Sequence, residues 1–325
     1  MKLFVTGGAG FIGSNYVRHV LATTDDEVTV FDALTYAGNL ENLREHEGDP
    51  RYRFVHADIR DRDAVAAALP GHDAVVHFAA ESHVDRSIVA PDDFVSTNCS
   101  GTNVLCDVAR RAGVERFVHI STDEVYGSID EGSFRETDPL GPRSPYSAAK
   151  AGSDLVALSY VTTYGLPVLV TRSSNQFGPY QFPEKVVPLF TTNLLDGRKV
   201  PLYGDGGNVR DWLFVEDNCR AVDLVLRRGE VGTVYNIGAH NEITNRELTS
   251  RLLALCGRDE SFVEPVADRP GHDRRYSITT DRIAALGWAP TLGLDDALAR
   301  TVAWYRDHRS WWEPLKAKAA FQRLP

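Results

Sequence analysis

Strand and helix alternate strictly through the first half of the chain, and a glycine-rich turn lies where the first strand hands over to the first helix. Apolar runs at residues 3–5, 28–31, 54–55, 74–78 and 117–120 read as short buried strands. Helical patterns fall near residues 11–22, 61–69 and 92–112, with a later one at 146–163, and a sixth strand is expected at 167–171. That alternation predicts an α/β fold: a parallel sheet with helices on both faces. After Arg172 the texture changes. Proline and glycine punctuate stretches such as FGPYQFPEK, LYGDGGN and DRPGHD, between helical patterns at 184–195, 215–228, 245–256 and 294–307. Residues 1–171 therefore read as one lobe. Residues 172–325 read as a smaller C-terminal lobe, some segments of which return to the first, and the polar tail from Lys316 is expected to be loose.

The turn itself, VTGGAGFIGSN, carries Gly8-x-Gly10-x-x-Gly13, and Gly7 adds the related GxxGxxG spacing. Glycine lets backbone N–H groups approach a pyrophosphate at a helix N-terminus. Asp32 ends the second strand, 19 residues after Gly13, where a carboxylate accepts from an adenosine ribose and repels a 2′-phosphate. Together these features predict a Rossmann-type, doubly wound nucleotide-binding lobe that prefers NAD to NADP. Two further stretches lie at strand C-terminal ends: HADI, with Asp58 placed toward the adenine edge, and HFAAESHVDRS, where Ala79 and Ala80 permit close approach. His83 in that second loop reads better as a structural hydrogen-bond group than as a catalyst.

Tyr146-Ser-Ala-Ala-Lys150 opens a helix, and a spacing of four puts both side chains on one face. A lysine there favours the phenolate, so the tyrosine can take a proton from a substrate hydroxyl as hydride leaves. Thr122 is placed to hold the same hydroxyl. Beside it STDEVYG sets two carboxylates, Asp123 and Glu124, at a strand end. Adjacent acids divide proton donation and acceptance when their surroundings push their pKa values apart.

A net charge of −10 argues against nucleic-acid binding through a basic surface. The sequence holds no apolar run of membrane-spanning length and leaves no room for a signal peptide before the first strand. Four cysteines, Cys99, Cys106, Cys219 and Cys256, have neither CxxC nor zinc spacing. Free thiols in a reducing cytoplasm and no metal are the expectation.

TGGAGFIG, Asp32, Thr122 and YxxxK together resemble the extended short-chain dehydrogenase/reductase family. Within it AAESHVDRS, STDEVYG, GPYQFPEK, VRDWLFVEDN and DRPGHDRRY resemble the dTDP-glucose 4,6-dehydratases, over nearly the whole chain. The resemblance implies oxidation at carbon 4 of the hexose, loss of water across carbons 5 and 6 with Asp123 as acid and Glu124 as base, and hydride return to carbon 6. It also implies NAD contacts at Gly7, Gly10, Phe11, Ile12, Gly13, Asp32, Ala33, Leu34 and Thr35. Further contacts are implied at Asp58, Ile59, Phe78, Ala79, Ala80, Glu81, Thr97, Tyr146, Lys150 and Gln176.

For dTDP-glucose the implied residues are Ser82, Thr122, Asn175, Lys185, Val186, Pro201, Leu202, Tyr203, Arg210, Asn245, Arg269, His272 and Asp273. Arg210 is the expected phosphate clamp, because a guanidinium pairs two oxygens at once, and Tyr203 is placed to stack on the base. The sequence departs from the family pattern at Gln176 and Phe177, where Asn and Tyr are usual. A homodimer is implied as well, through helices 92–112 and 146–163. Their residues Ala148, Ala149, Ala151, Leu155, Ala157 and Leu158 suit either an interface or sheet packing. Two relatives compete, a nucleotide-sugar 4-epimerase, which needs no acid pair, and a GDP-mannose dehydratase, which typically keeps only the glutamate. A non-catalytic NAD sensor is a third reading, opposed by the intact Thr122, Tyr146 and Lys150.

Overall fold

The computed structural model describes residues 1–268 and 272–318. The expected alternation is realised in strands β1 (Lys2–Thr6), β2 (Glu27–Asp32), β3 (Tyr52–His56), β4 (Ala74–His77), β5 (Arg116–Thr122) and β6 (Val168–Ser173). A seventh strand, Val234–Ile237, was not foreseen. It comes from the C-terminal half and pairs with the outer edge of β6. The order is Val234–Ile237, β6, β5, β4, β1, β2, β3, all parallel. Strand order reverses between β1 and β4, the point at which such sheets open a ligand crevice at their C-terminal ends.

Side-chain alternation along the strands builds two cores. Leu3, Val5, Val28 and Val30 point to one face, against Val17 and Val20 of the helix Phe11–Thr23 and Val222 and Val225 of the helix Val215–Arg228. Phe4, Phe31, Phe117 and Val168 point to the other, against Leu105, Ala109, Ala157 and Tyr160. Each such buried side chain contributes roughly 1.5–3 kcal/mol, so neither face can be exposed cheaply. A third core holds the second lobe together around Phe190, Leu194, Trp212, Leu252 and Leu298.

Two elements differ from expectation. The pattern at 92–112 is not one helix. A short turn of helix, Pro91–Phe94, leads into a π-helical turn, Val95–Gly101, and regular helix resumes at Thr102–Ala112. The wider turn lets Asn98 face the loop after β4, where it accepts from Glu81 N at 2.8 Å and donates to Glu81 O at 3.0 Å. The helix expected from residue 184 starts at Val186, because Glu184 turns away to accept from Tyr36 Oη at 3.0 Å. His83 caps the helix Val84–Val89, accepting from Arg86 N at 3.3 Å, the structural role the sequence favoured.

Candidate active site

The glycine-rich turn closes through a lack of side chains. Gly7 has φ +69°, and a Cβ there would come within 2.5 Å of Ala79 N. A Cβ on Gly13 would overlap Gly7 O. The floor of the crevice is thus bare backbone, and the helix that begins at Phe11 turns its N-terminus into it. Asp32 lies at one side. Its Oδ2 accepts from Ala9 N at 2.9 Å and its Oδ1 from Leu34 N at 2.8 Å, so both oxygens are fixed and each keeps a lone pair. Burial raises its pKa, and the two backbone donors oppose that.

Thr6, His77 and His119 are side by side in register, and β5 then runs three residues further, to Thr122. This overhang carries the acids beyond the sheet edge. Thr122 ends the strand and caps the tight turn Asp123–Tyr126 by accepting from Glu124 N at 3.2 Å. Its hydroxyl donates to Asp123 Oδ1 at 3.3 Å. Asp123 is 3% exposed and its Oδ2 has no hydrogen-bond partner among the described residues. Burial first, then the charges of Glu124 and Asp211, push its pKa well above the usual carboxylate value; Arg210 and Thr122 pull the other way. Asp123 therefore holds its proton more strongly than an ordinary carboxyl, while Glu124 is less deeply buried on the same wall.

The helix Pro145–Tyr164 presents the Tyr–Lys pair. Ser144 caps it by accepting from Ser147 N at 3.1 Å, Ser147 Oγ accepts from Ser144 N at 3.0 Å, and Pro145 occupies the first turn. Tyr146 is thereby fixed one residue inside the helix start. Lys150 is 5% exposed and donates to Ile120 O at 2.5 Å. The expectation that the lysine draws the phenol downward needs correction. Burial, and after it Glu124, push the Tyr146 pKa up, and the Thr122 hydrogen bond opposes them. The phenol faces two carboxylates, so on the protein's own charges it is a proton holder.

The crevice brings most of the sequence-derived residues together. Gly7, Gly10, Phe11, Ile12, Gly13, Asp32, Ala33 and Thr35 line one end, with Asp58 and Ile59. Phe78, Ala79, Ala80, Glu81, Ser82 and Thr97 form a side wall. Thr122, Asp123, Glu124, Tyr146 and Lys150 stand at its centre, facing Asn175, Gln176 and Lys185. Asp58 is paired with Arg60, Oδ2 to Nη2 at 2.6 Å. Gln176 donates to Ser174 O at 2.6 Å, and Phe177 is fully buried against Trp212 and Phe214. The longer amide thus folds back on its own chain, and Phe177 serves the third core, that of the second lobe.

Other candidates lie off this wall: Leu34, Val186, Pro201, Leu202, Tyr203, Arg210, Asn245, His272 and Asp273. Arg210 is buried under Tyr276, 4.1 Å from the ring centre, and donates to Val209 O and Asp273 O. Arg269, and the chain beyond residue 318, lie outside the described residues.

Sequence reasoning missed Tyr36, Arg86, Asn98 and Glu184. Tyr36 carries the Arg86 guanidinium 3.8 Å above its ring while bonding Glu184, so it joins the two lobes beside the crevice. A tyrosine four residues past Asp32 was the only hint.

A glycine-floored nucleotide crevice, a buried Tyr–Lys pair and an acid couple define a nucleotide-sugar dehydratase of the extended short-chain dehydrogenase/reductase kind. The chain matches the family described as GDP-mannose 4,6 dehydratase over residues 4–301. It is 56% identical to a dTDP-glucose 4,6-dehydratase of Streptomyces antibioticus, across 100% of this chain and 98% of that one. It is 45% identical to the Escherichia coli enzyme of that name, across 96% of each. The solved dTDP-glucose 4,6-dehydratase DesIV of Streptomyces venezuelae, with NAD and the ligand TYD bound, superimposes with a TM-score of 0.95. It is 58% identical, over 97% of this chain and 100% of that one. The protein belongs to the dTDP-glucose 4,6-dehydratase family.

Proposed function

We infer that the protein converts dTDP-glucose to dTDP-4-keto-6-deoxyglucose in an NAD-dependent dehydration. The observation that carries this is the placement of Asp123 and Glu124 on the same crevice wall as Tyr146 and Lys150. An epimerase of this fold needs only the second pair. The residues present fit NAD: the Gly7 and Gly13 turn is packed too closely for any Cβ and leaves bare backbone at the helix N-terminus, and Asp32 keeps lone pairs for a ribose. When bound, NAD takes the hydride from carbon 4 and returns it to carbon 6. Thr122 and Tyr146 hold the carbon 4 hydroxyl; once Lys150 and the cationic nicotinamide of bound NAD draw off its own phenolic proton, Tyr146 would receive that of the hydroxyl. Glu124 then takes the proton from carbon 5, which the neighbouring ketone has acidified, Asp123 gives its proton to the departing carbon 6 hydroxyl as water leaves, and Glu124 returns a proton to carbon 5 when carbon 6 regains hydride. Incubation with dTDP-glucose must yield a 4-keto-6-deoxy product; a 4-epimer, or no conversion, overturns the reading.

We assign residues 1–171 to the NAD lobe and 172–325 mainly to the nucleotide-sugar lobe. Ser82, Asn175, Lys185, Val186, Pro201, Leu202, Tyr203, Arg210, Asn245, Arg269, His272 and Asp273 are proposed to bind the substrate. We also propose a homodimer. Leu155 is 60% exposed and Val95 52% exposed, while Ala149, Ala151 and Ala157 on the same helix as Leu155 are buried inward. Exposed apolar side chains of that size suit a partner helix. Leu155→Glu should give a monomer by light scattering; an unchanged mass, or a wild-type monomer, removes this proposal. Four unpaired thiols suit a reducing cytoplasm, which we propose as its location.

A further inference from the structure

One turn beyond Lys150, on the same helix face, lies a carboxylate to which the reaction above gives no task. Asp154 is 0% exposed. Its Oδ2 accepts from Arg172 Nε at 3.0 Å, and its Oδ1 is 3.2 Å from His119 Nε2. Two positive groups thus flank it: Arg172 on β6, and Lys150 four residues earlier on the helix.

The remaining groups around it bring no second negative charge. His119 on β5 bonds Ser153 Oγ through Nε2 at 3.1 Å, and Ser153 Oγ donates onward to Lys150 O at 2.8 Å. The hydroxyl proton is thereby spent, so His119 Nε2 is the donor, and its Nδ1 meets no acceptor for a second proton among the described residues. On β4, His77 is held between Thr6 Oγ1 and Thr102 Oγ1 at 2.7 and 2.9 Å. Burial pushes the pKa of both rings down. From the π-helical turn Cys99 Sγ reaches Ala149 O at 3.3 Å. Beyond Arg172 lies Tyr126, whose hydroxyl accepts from Nη1 at 2.8 Å and donates to Asn236. Tyr146 and the two acids lie on the crevice side of Lys150.

We propose that Asp154, held in place by Arg172, is a positioning residue for the hydride step, its carboxylate being the counter-charge that keeps the Lys150 ammonium charged. This rests on the reading of Tyr146 and Lys150 as the proton-handling pair. The lysine needs the help. Burial lowers its pKa to about 8, with Asp154 first among the groups opposing that fall. Arg172 shares the same carboxylate and so limits how much of it the lysine receives. Tyr126, which Arg172 also holds, belongs to the turn that carries Asp123 and Glu124. One guanidinium therefore ties the acid-bearing turn to the helix of the Tyr–Lys pair.

The test is the alkaline limb of the kcat profile. Activity that needs charged Lys150 is lost as pH rises through its pKa. Asp154→Asn removes a negative charge, lowers that pKa and should move the limb down by about 1–3 pH units. Arg172→Gln removes a positive charge and should move the limb up. Tyr126→Phe breaks the Arg172 contact without changing charge and should leave the limb in place. KM for dTDP-glucose should change little in all three, because the substrate contacts lie elsewhere. Packing damage alone lowers kcat at every pH and moves no limb in opposite directions. Where Asp154→Asn does not fold, Arg172→Gln decides: an upward shift supports the proposal, and no shift or a downward one overturns it. A wild-type protein without turnover would instead refute the assigned reaction.

Discussion

Asp123 and Glu124 are neighbours in sequence yet sit at different depths: Asp123 is 3% exposed at the end of the β5 overhang, and Glu124 lies nearer the crevice surface. One peptide unit separates a carboxyl whose burial raises its pKa from one beside a more open space. A difference in environment, more than in residue type, is what allows neighbouring acids opposite tasks.

In heavy water, Glu124→Gln should suppress exchange of the carbon 5 hydrogen of dTDP-glucose, whereas Asp123→Asn should permit it and slow loss of the carbon 6 hydroxyl. Mass spectrometry of recovered substrate and product separates the two blocks. Normal product formation in both variants would remove the acid pair from the reaction.

The raised Asp123 pKa has a stability consequence. A carboxyl whose pKa is higher folded than unfolded makes the native state take up a proton, so its contribution to stability declines as pH rises from the unfolded value through the folded one. Asp123→Asn has no such dependence. Its melting temperature relative to wild type should climb as pH rises above the ordinary carboxylate value of about 4. A constant difference across that range would mean that the carboxyl titrates normally.

Tyr146→Phe removes the hydroxyl and keeps the ring edge-on to Phe94. Turnover should drop by about 10²–10⁴ with the circular dichroism spectrum unchanged. Near-normal turnover would assign the base elsewhere.

Asp32→Asn places an amide where both carboxylate oxygens accept backbone N–H groups. NAD affinity should fall about 10–100-fold, the worth of a charged hydrogen bond. The preference over NADP should narrow. Titration calorimetry with both cofactors measures this, and equal affinities in the wild type would contradict the role of Asp32.

Much of the sheet could be read from sequence because its signals are local. Apolar strand runs of two to five residues and a fingerprint turn need no distant partner to be recognised. The acid pair, Tyr146 and Lys150 were legible for the same reason, each being a short motif at an element end. What escaped notice depends on contacts remote in sequence. The strand Val234–Ile237 looks like any short apolar run until it meets the edge of β6. The π-helical turn answers to Glu81, 17 residues before Asn98, and Glu184 leaves its helix for Tyr36, 148 residues earlier. The pKa direction of Tyr146 differs from the sequence expectation because the lysine is visible four residues away, while the burial of the phenol, and the approach of Glu124 to it, depend on the fold.

The late arrival of Val234–Ile237 also dictates a timetable for synthesis. As the chain leaves the ribosome, β6 emerges with one margin unpaired, and it stays so until the segment around residue 237 follows. An open margin of parallel strand invites pairing with other chains. The nascent first lobe is therefore complete in sequence well before it is closed in structure. The helix Val215–Arg228 and the strand after it act as a built-in chaperone, covering the face and then sealing the edge that the earlier residues leave bare.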